Sequence, residues 1–259
     1  MRSTFSKIST VVYASLIYLF LYLPIAILFI YSFNKSKLNA VWTGFTFDWY
    51  VKLMHNSDVL DATYTSLLVA LVSTVFATMI GTLAAVGMYR YHFRGKTALD
   101  AMLYLPIVIP EIVMGISMLA LFAQLKVPLG FWTLVAAHIT FSIPFVVVVV
   151  KARLDGFDKS IEEAAMDLGA TPWQTFIKVT LPVIAPGVIA SALLAFTLSI
   201  DDVIISFFVA GPGSATLPLK IFSMVKFGVT PEINALSTLM LLVTLCIAIM
   251  AERIRMKKG

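Results

Sequence analysis

The feature of this chain that most limits its possible folds is a set of six long apolar stretches that are almost free of charge. A helix needs about 20 consecutive apolar residues to cross the hydrocarbon core of a bilayer. Of the 259 residues, 60% are hydrophobic and only 13% are charged, whereas soluble domains carry about 25% charged residues. The sequence therefore predicts an all-α membrane protein with six transmembrane helices. The six predicted spans are residues 11–33, 63–89, 98–123, 131–151, 183–210 and 233–251.

Lysine and arginine are distributed unevenly among the segments that join these spans. Thirteen of the 19 lie near the two ends of the chain or in the connections after the second and fourth spans. Because cytoplasmic loops collect positive charge, both termini and the segment 153–182 are predicted to be cytoplasmic. Segments 34–62, 124–130 and 211–232 would then face outward. We find no linker and no internal repeat in the sequence, so residues 1–259 are interpreted as a single domain.

The sequence indicates no catalytic chemistry of its own. It holds no G-x-x-x-x-G-K-[ST] phosphate loop, and its three histidines lack metal-ligand spacing. We therefore expect no enzyme activity, no cofactor and no metal site in this chain. The net charge of +5 is explained by the cytoplasmic loops and requires no nucleic acid. One histidine, His138, lies inside the fourth span and is interpreted as a hydrogen-bonding residue between helices.

The segment between the fourth and fifth spans has the pattern of two short, capped helices. Ser160 and Glu163 have the spacing of a capping box, in which each side chain satisfies a backbone amide of the first turn. Thr171 and Gln174 repeat this spacing for the second helix. Between them, Gly169 is suited to the left-handed position that follows a helix. The segment therefore predicts a helix–turn–helix hairpin.

Proline and charge define the limits and the surface of this hairpin. Pro172 occupies the favoured first position of the second helix, and Pro182 is predicted to end it. The acidic residues of the segment, Glu162 among them, outnumber the basic ones, so an anionic lipid surface is a poor partner. Each helix carries an apolar face, and we therefore favour docking to another protein. The two faces consist of Ile161, Ala164, Ala165 and Leu168, and of Trp173, Phe176 and Ile177.

The same segment resembles the EAA loop of ABC-importer permeases, which has the pattern EAA-x3-G-x9-I-x-LP. Val179 stands where the family has isoleucine. Further stretches, such as Phe93-Arg94-Gly95-Lys96, are similar to permeases that import spermidine and putrescine. The residues that match the EAA pattern in register are Glu163, Ala164, Ala165, Gly169, Leu181 and Pro182.

This resemblance implies a permease subunit of an ATP-driven, binding-protein-dependent polyamine importer in the bacterial inner membrane. Such a permease works by alternating access, beside a homologous second permease and membrane lipid. A cytoplasmic ATPase dimer would bind ATP and Mg²⁺ and would dock the hairpin. A periplasmic polyamine-binding protein would meet segments 34–62 and 211–232. The implied residues for ATPase coupling are Glu163, Ala164, Ala165, Asp167, Gly169 and Ala170.

Three carboxylates fall inside the predicted spans, where a charge is costly and marks a pathway or a buried pair. Glu111 follows Pro106 and Pro110, which should kink or open the third span. Asp201 and Asp202 are neighbours, so both cannot face one pathway equally. We expect Asp201 to face it, while Asp202 pairs with a donor or caps a helix break.

Acidic side chains along a pathway suit a polyamine, which carries ammonium groups spaced along a flexible chain. Aromatic rings would add cation–π contacts, although Trp42 and Trp49 also fit an interfacial aromatic belt. The candidate residues of the substrate pathway are Glu111, Asp201, Asp202, Trp42 and Tyr104.

Three alternatives remain open from the residues alone. An ABC permease for another solute, such as ferric iron, would also suit carboxylates, whereas phosphate would be repelled by them. An ion-coupled secondary carrier also uses acids inside the membrane, but it needs no capped hairpin and usually shows internal repeats. A purely structural membrane subunit leaves the three acids unexplained.

Overall fold

The structure is a computed structural model that describes residues 4–36, 41–226 and 228–256. These residues are helical almost throughout, and the only extended pairing described among them is an isolated bridge between Asn34 and Phe45. The helices are α1 (Thr4–Tyr31), α2 (Asp48–Met54), α3 (Ser57–Arg90), α4 (Lys96–Val108), α5 (Glu111–Gln124), α6 (Phe131–Leu154), α7 (Lys159–Asp167), α8 (Pro172–Thr175), α9 (Leu181–Ile200), α10 (Ile204–Val209), α11 (Leu217–Val225) and α12 (Pro231–Met256).

Four of the described helical stretches are long and apolar enough to cross a membrane. A fifth is added if α4 and α5 are counted as one broken span. In α12, the apolar stretch found among the described residues is Pro231–Cys246, which is shorter than a full span. It contains only part of the predicted sixth span, residues 233–251. The all-helical membrane fold is confirmed, and the count of six spans remains a prediction. The four long stretches are Thr10–Tyr31, Ser57–Arg90, Phe131–Leu154 and Pro172–Ile200.

The chain forms two compact units. One contains Met1–Leu60 and Ile221–Gly259, and the other is Asp61–Lys220. In the first unit, α1 and α2 each pack against α12. Asn34 organises the segment that follows α1: its amide donates to the carbonyl of Val41 at 2.9 Å, and its own carbonyl accepts the indole N–H of Trp49 at 2.8 Å.

In the second unit, α6 is the central helix. It packs against α4, α5, α9 and α10, and one face of it is completely buried. Close approach between α3 and α6 depends on Gly81, because a Cβ atom at this position would lie 2.6 Å from Cγ1 of Val146. Small residues commonly permit such contacts between membrane helices.

The predicted third span, residues 98–123, is not one helix. Helices α4 and α5 meet at a break with a bend of 110°. Ile109, which precedes Pro110, has an extended backbone (φ −71°, ψ 134°) because the proline ring disfavours a helical conformation in the residue before it. Pro106 lies inside α4. The expectation that proline opens this span is confirmed, and Glu111 becomes the first residue of α5.

The predicted fifth span, residues 183–210, also differs from one continuous helix. Helix α9 ends at Ile200, and α10 starts at Ile204 after a short break that contains both aspartates. At the other end, the prediction that Pro182 ends a helix is wrong. A π-helical turn, Phe176–Thr180, joins α8 to α9, and its wider spacing lets the N–H of Leu181 bond to the carbonyl of Phe176. Pro182 then occupies the first turn of α9, where its missing N–H is tolerated.

Candidate functional site

Asp202 holds the break between α9 and α10 together. Its Oδ1 accepts the N–H of Ile205 at 3.1 Å, and its Oδ2 accepts both the N–H and the hydroxyl of Ser206 at 2.8 Å. The side chain therefore caps the first turn of α10, as a carboxylate at a helix N-terminus does. Asp202 is also only 8% exposed. Most of its capacity to accept hydrogen bonds is used inside the protein.

His138 of α6 links this cap to other helices. Its Nε2 lies 3.4 Å from Oδ2 of Asp202 and 3.1 Å from the hydroxyl of Ser206. Its Nδ1 lies 2.6 Å from the hydroxyl of Ser199 on α9, which is in turn 3.2 Å from that of Ser73 on α3. One ring nitrogen therefore meets the cap of α10 and the other meets a hydroxyl of α9, so the imidazole joins α6 to both helices. The interpretation of His138 as an interhelical hydrogen-bonding residue is confirmed.

Asp201 has the opposite environment, although it is adjacent in sequence. Its side chain is exposed, as is that of Glu111 at the start of α5. Helix α5 packs against α10, where Gly115 leaves room for the ring of Phe208. Glu111 is the first residue of α5, and the break that contains Asp201 and Asp202 directly precedes α10. The structure thus gathers the three predicted acids in one region of the second unit, and leaves two of them accessible.

The two predicted pathway aromatics have other neighbours. Tyr104 of α4 lies under the ammonium group of Lys151, whose Nζ is 5.8 Å from the ring centroid. Lys151 is also paired with Asp100 at 2.9 Å. Trp42 belongs to the other unit, where it meets the ring of Tyr31 edge-on. The role of Tyr104 and Trp42 in a solute path stays a prediction.

The first helix of the predicted hairpin, α7, is capped differently from the prediction. The cap is Asp158, whose carboxylate accepts the N–H of Ser160 at 3.0 Å, so the proposed box of Ser160 with Glu163 is wrong. Asp158 has the extended backbone of a cap and lies one residue before the helix begins. The sequence pattern did not identify it because the start of the helix was predicted too late. The hydrogen bond from the backbone of Ser160 lowers the pKa of Asp158.

The turn after α7 and the start of α8 follow the sequence signals closely. Gly169 has a φ of +89°, and its N–H bonds to the carbonyl of Met166, while the N–H of Ala170 reaches Ala165. These two bonds form a Schellman motif. Thr171 and Gln174 form the predicted capping box, with bonds of 3.3 and 3.0 Å.

The predicted apolar face of α7 is uncovered in this chain. Ile161 is 46% exposed and Leu168 is 90% exposed, and Ala164 between them is exposed as well. Trp173 of α8 is 64% exposed. Of the predicted coupling residues, Glu163, Ala164, Asp167 and Gly169 are exposed, and Ala165 and Ala170 are half-buried.

The acid that α7 buries is Glu162, which the sequence placed on an exposed acidic surface. Glu162 is only 7% exposed and pairs with Arg90, the last residue of α3, at 2.5 Å. Both residues also bond to the hydroxyl of Thr180 in the π-helical turn. No local pattern signals this contact, because it joins residues that are 18 to 90 positions apart in sequence.

A family model described as "Binding-protein-dependent transport system inner membrane component" matches residues 77–255. The chain is similar to the spermidine/putrescine transport system permease protein PotC of Escherichia coli K12, at 50% identity over 93% of this chain and 92% of the relative. It is 44% identical to PotC of Haemophilus influenzae, over 94% of this chain and 95% of that relative. The putrescine transport system permease protein PotI of E. coli K12 is 47% identical, over 86% and 82% of the two chains.

Solved structures share the fold at low sequence identity. A chain of a bacterial ABC transporter involved in the import of the acidic polysaccharide alginate matches with a TM-score of 0.77 and 14% identity, over 98% of both chains. A chain of the MetNI methionine ABC transporter, in an inward-facing conformation, matches with a TM-score of 0.63 and 20% identity, over 76% of this chain and 94% of that one.

Proposed function

We propose the following function for this chain, which belongs to the family of binding-protein-dependent transport system inner membrane components. It is a permease subunit of a polyamine ABC transporter. The observation that carries this conclusion is the similarity to PotC and PotI, which extends over most of the chain and of both relatives.

Asp201 and Glu111 are the groups that meet the ammonium groups of the solute. Both are exposed, and both stand at helix breaks, one between α9 and α10 and the other between α4 and α5. Irregular backbone within a membrane is tolerated where it lines a cavity. Asp202 has a different role, since its oxygens are held by Ser206 and Ile205. It fixes the break from which Asp201 projects.

The segment 158–180 docks onto a cytoplasmic ATPase. The exposed Ile161, Leu168 and Trp173 provide the apolar part of this surface, and Glu163 and Asp167 provide its charge. ATP and Mg²⁺ are bound by a dimer of that ATPase, whose closure drives alternating access in the membrane. The bias of lysine and arginine supports a cytoplasmic location for this segment and for both termini in a bacterial cell.

Three further partners complete the transporter. A homologous second permease and lipid cover the apolar surface of α1, most of whose described side chains are exposed. A periplasmic polyamine receptor meets segments 34–62 and 211–232. One similar structure is of the alginate transporter in complex with a periplasmic protein that holds an alginate pentasaccharide, which supports a receptor as partner.

The decisive experiment is uptake of labelled spermidine and putrescine by the assembled transporter in proteoliposomes, with receptor outside and ATP inside. We expect ATP-dependent uptake of at least one polyamine, reduced by an excess of the other but not by ferric iron. Uptake of iron in place of polyamines would favour the alternative solute. Uptake that follows an ion gradient without ATP would favour a secondary carrier.

A further inference from the structure

The contact between Arg90, Glu162 and Thr180 joins three elements of the second unit. Nη2 of Arg90 donates to Oε1 of Glu162 at 2.5 Å and to the hydroxyl of Thr180 at 2.8 Å. The hydroxyl of Thr180 also donates to Glu162. Arg90 ends α3, Glu162 lies in the first turn of α7, and Thr180 ends the turn that leads into α9. We call these three residues the polar triad.

Burial makes the three residues of the polar triad costly to separate from one another. Thr180 is completely buried and Glu162 nearly so, while the side chain of Arg90 is 18% exposed. A buried carboxylate that loses its cation is left without compensation, which is far more costly than the net gain from the pair. A displacement of α7 therefore cannot leave Arg90 behind, and has to carry the end of α3 with it.

A second contact ties the start of α7 to the same turn of α3. The hydroxyl of Tyr89 donates to the carbonyl of Phe157 at 3.1 Å, and the ammonium group of Lys159 lies 4.8 Å from the centre of the Tyr89 ring. Beside these contacts is a cavity of about 280 Å³, lined in part by Arg90 and Glu162. Polar and cation–π contacts thus link α7 and the residue Phe157 before it to the end of α3.

The opposite face of α7 is the exposed one that carries Ile161, Ala164 and Leu168. One side of α7 is thus exposed to solvent. Its other side contacts the end of α3 and the turn that leads into α9. We propose that Arg90 is a positioning residue which, through the polar triad, transmits a displacement of α7 to α3 and α9 together. This inference rests on the proposed docking of an ATPase to α7, and it names the route by which that movement enters the membrane helices.

The test uses the assembled transporter in proteoliposomes, with polyamine uptake and ATP hydrolysis measured on the same sample. Glu162→Gln removes the charge, and Thr180→Val removes the bridging hydroxyl at nearly constant volume. Both variants are expected to retain the ATPase on purification and to hydrolyse ATP, while the polyamine taken up per ATP falls several-fold. Thr180→Ser keeps the hydroxyl and is expected to restore this ratio. Arg94→Gln, which removes an exposed arginine four residues after Arg90, is the matched control and should leave the ratio unchanged.

A second measurement is independent of the solute. In the unaltered assembly, addition of ATP should change hydrogen exchange in both α7 and the last turn of α3. In Glu162→Gln the change in α7 should remain, and the change in α3 should be lost. An unchanged uptake ratio together with an unchanged response of α3 would overturn the proposal. Loss of the ATPase from both variants would also overturn it, because the triad would then only shape the docking surface. If the unaltered assembly takes up no polyamine, the proposed function is wrong, and hydrogen exchange still decides the role of the triad.

Discussion

Nε2 of His138 lies 3.4 Å from Oδ2 of Asp202, and the two residues are only 2% and 8% exposed. This pairing separates two aspartates that are adjacent in sequence. Asp202 is held by an imidazole, a hydroxyl and two backbone amides, whereas Asp201 is exposed. One carboxylate maintains the shape of the helix break, and the other is accessible to a cation.

Substitution of the two aspartates by asparagine should therefore affect stability differently. Asp202→Asn turns one acceptor oxygen into a donor that faces other donors, so we expect unfolding free energy to fall by about 1–3 kcal/mol. Asp201→Asn, its matched control, should leave stability unchanged. Thermal unfolding of the purified permease in detergent measures both, and equal melting temperatures would contradict the assignment of Asp202 as the buried cap.

Transport should depend on the two exposed acids. Glu111→Gln and Asp201→Asn each remove one proposed contact with an ammonium group, and a hydrogen bond to a charged group contributes about 1.5–3 kcal/mol. We expect the apparent KM for polyamine uptake to rise roughly ten- to a hundredfold in each variant. The ATPase should still copurify with both, which serves as the control for assembly. Uptake at the unaltered KM would exclude these residues from the substrate path.

Two glycines of α3 allow a test of helix packing. A methyl group at Gly81 would meet Val146 at 2.6 Å, while the same group at Gly87 would meet nothing within 4 Å. Gly81→Ala should therefore destabilise the protein by about 1–3 kcal/mol through overpacking. Gly87→Ala should be neutral or slightly stabilising, because alanine favours a helix. Melting temperatures in detergent give the comparison, and equal losses in the two variants would argue against close packing at Gly81.

The left-handed conformation of Gly169 makes the turn after α7 sensitive to substitution. Gly169→Ala should cost about 1–2 kcal/mol of local stability, since an L-residue is strained at a φ of +89°. Gly169→Arg adds bulk and charge on the exposed surface and should detach or uncouple the ATPase. Gly156→Ala is the control, because its backbone is not left-handed and a Cβ there meets nothing within 4 Å. Normal copurification and transport by Gly169→Arg would contradict the docking role.

The cap at Asp158 predicts a pH dependence of α7. Its pKa is lowered in the folded chain by the N–H of Ser160, so the stabilisation is present above the unfolded pKa and is lost as the pH falls through the folded one. Protection of the α7 amides from hydrogen exchange, relative to the intrinsic exchange rate at each pH, should therefore fall in acid. Asp158→Asn retains a capping oxygen and should remove this acid dependence without fraying the helix at neutral pH, whereas Asp158→Ala should fray it at both.

Local signals predicted several features because their causes lie within a few residues. Pro110 disrupts the helical backbone at Ile109, Gly169 permits the left-handed turn, and Thr171 pairs with Gln174 three positions away. The cap of α7 was misplaced by two residues because Ser160 and Asp158 are both good capping residues, and the choice depends on where the helix starts. The prediction at Pro182 was wrong because the π-helical turn before it continues into α9, with the N–H of Leu181 bonded to the carbonyl of Phe176.

The sequence by itself determined the membrane character of this protein, its helical class and its family, since hydrophobic length, proline positions and the EAA pattern are all properties of the linear chain. Only the tertiary structure decided which acids are used internally. Glu162 and Asp202 are buried and Glu163 and Asp201 are exposed, although the members of each pair are neighbours. The physical reason is that a buried charge requires partners from other helices. Arg90 and His138 meet these carboxylates only after α3, α6, α7 and α10 have packed.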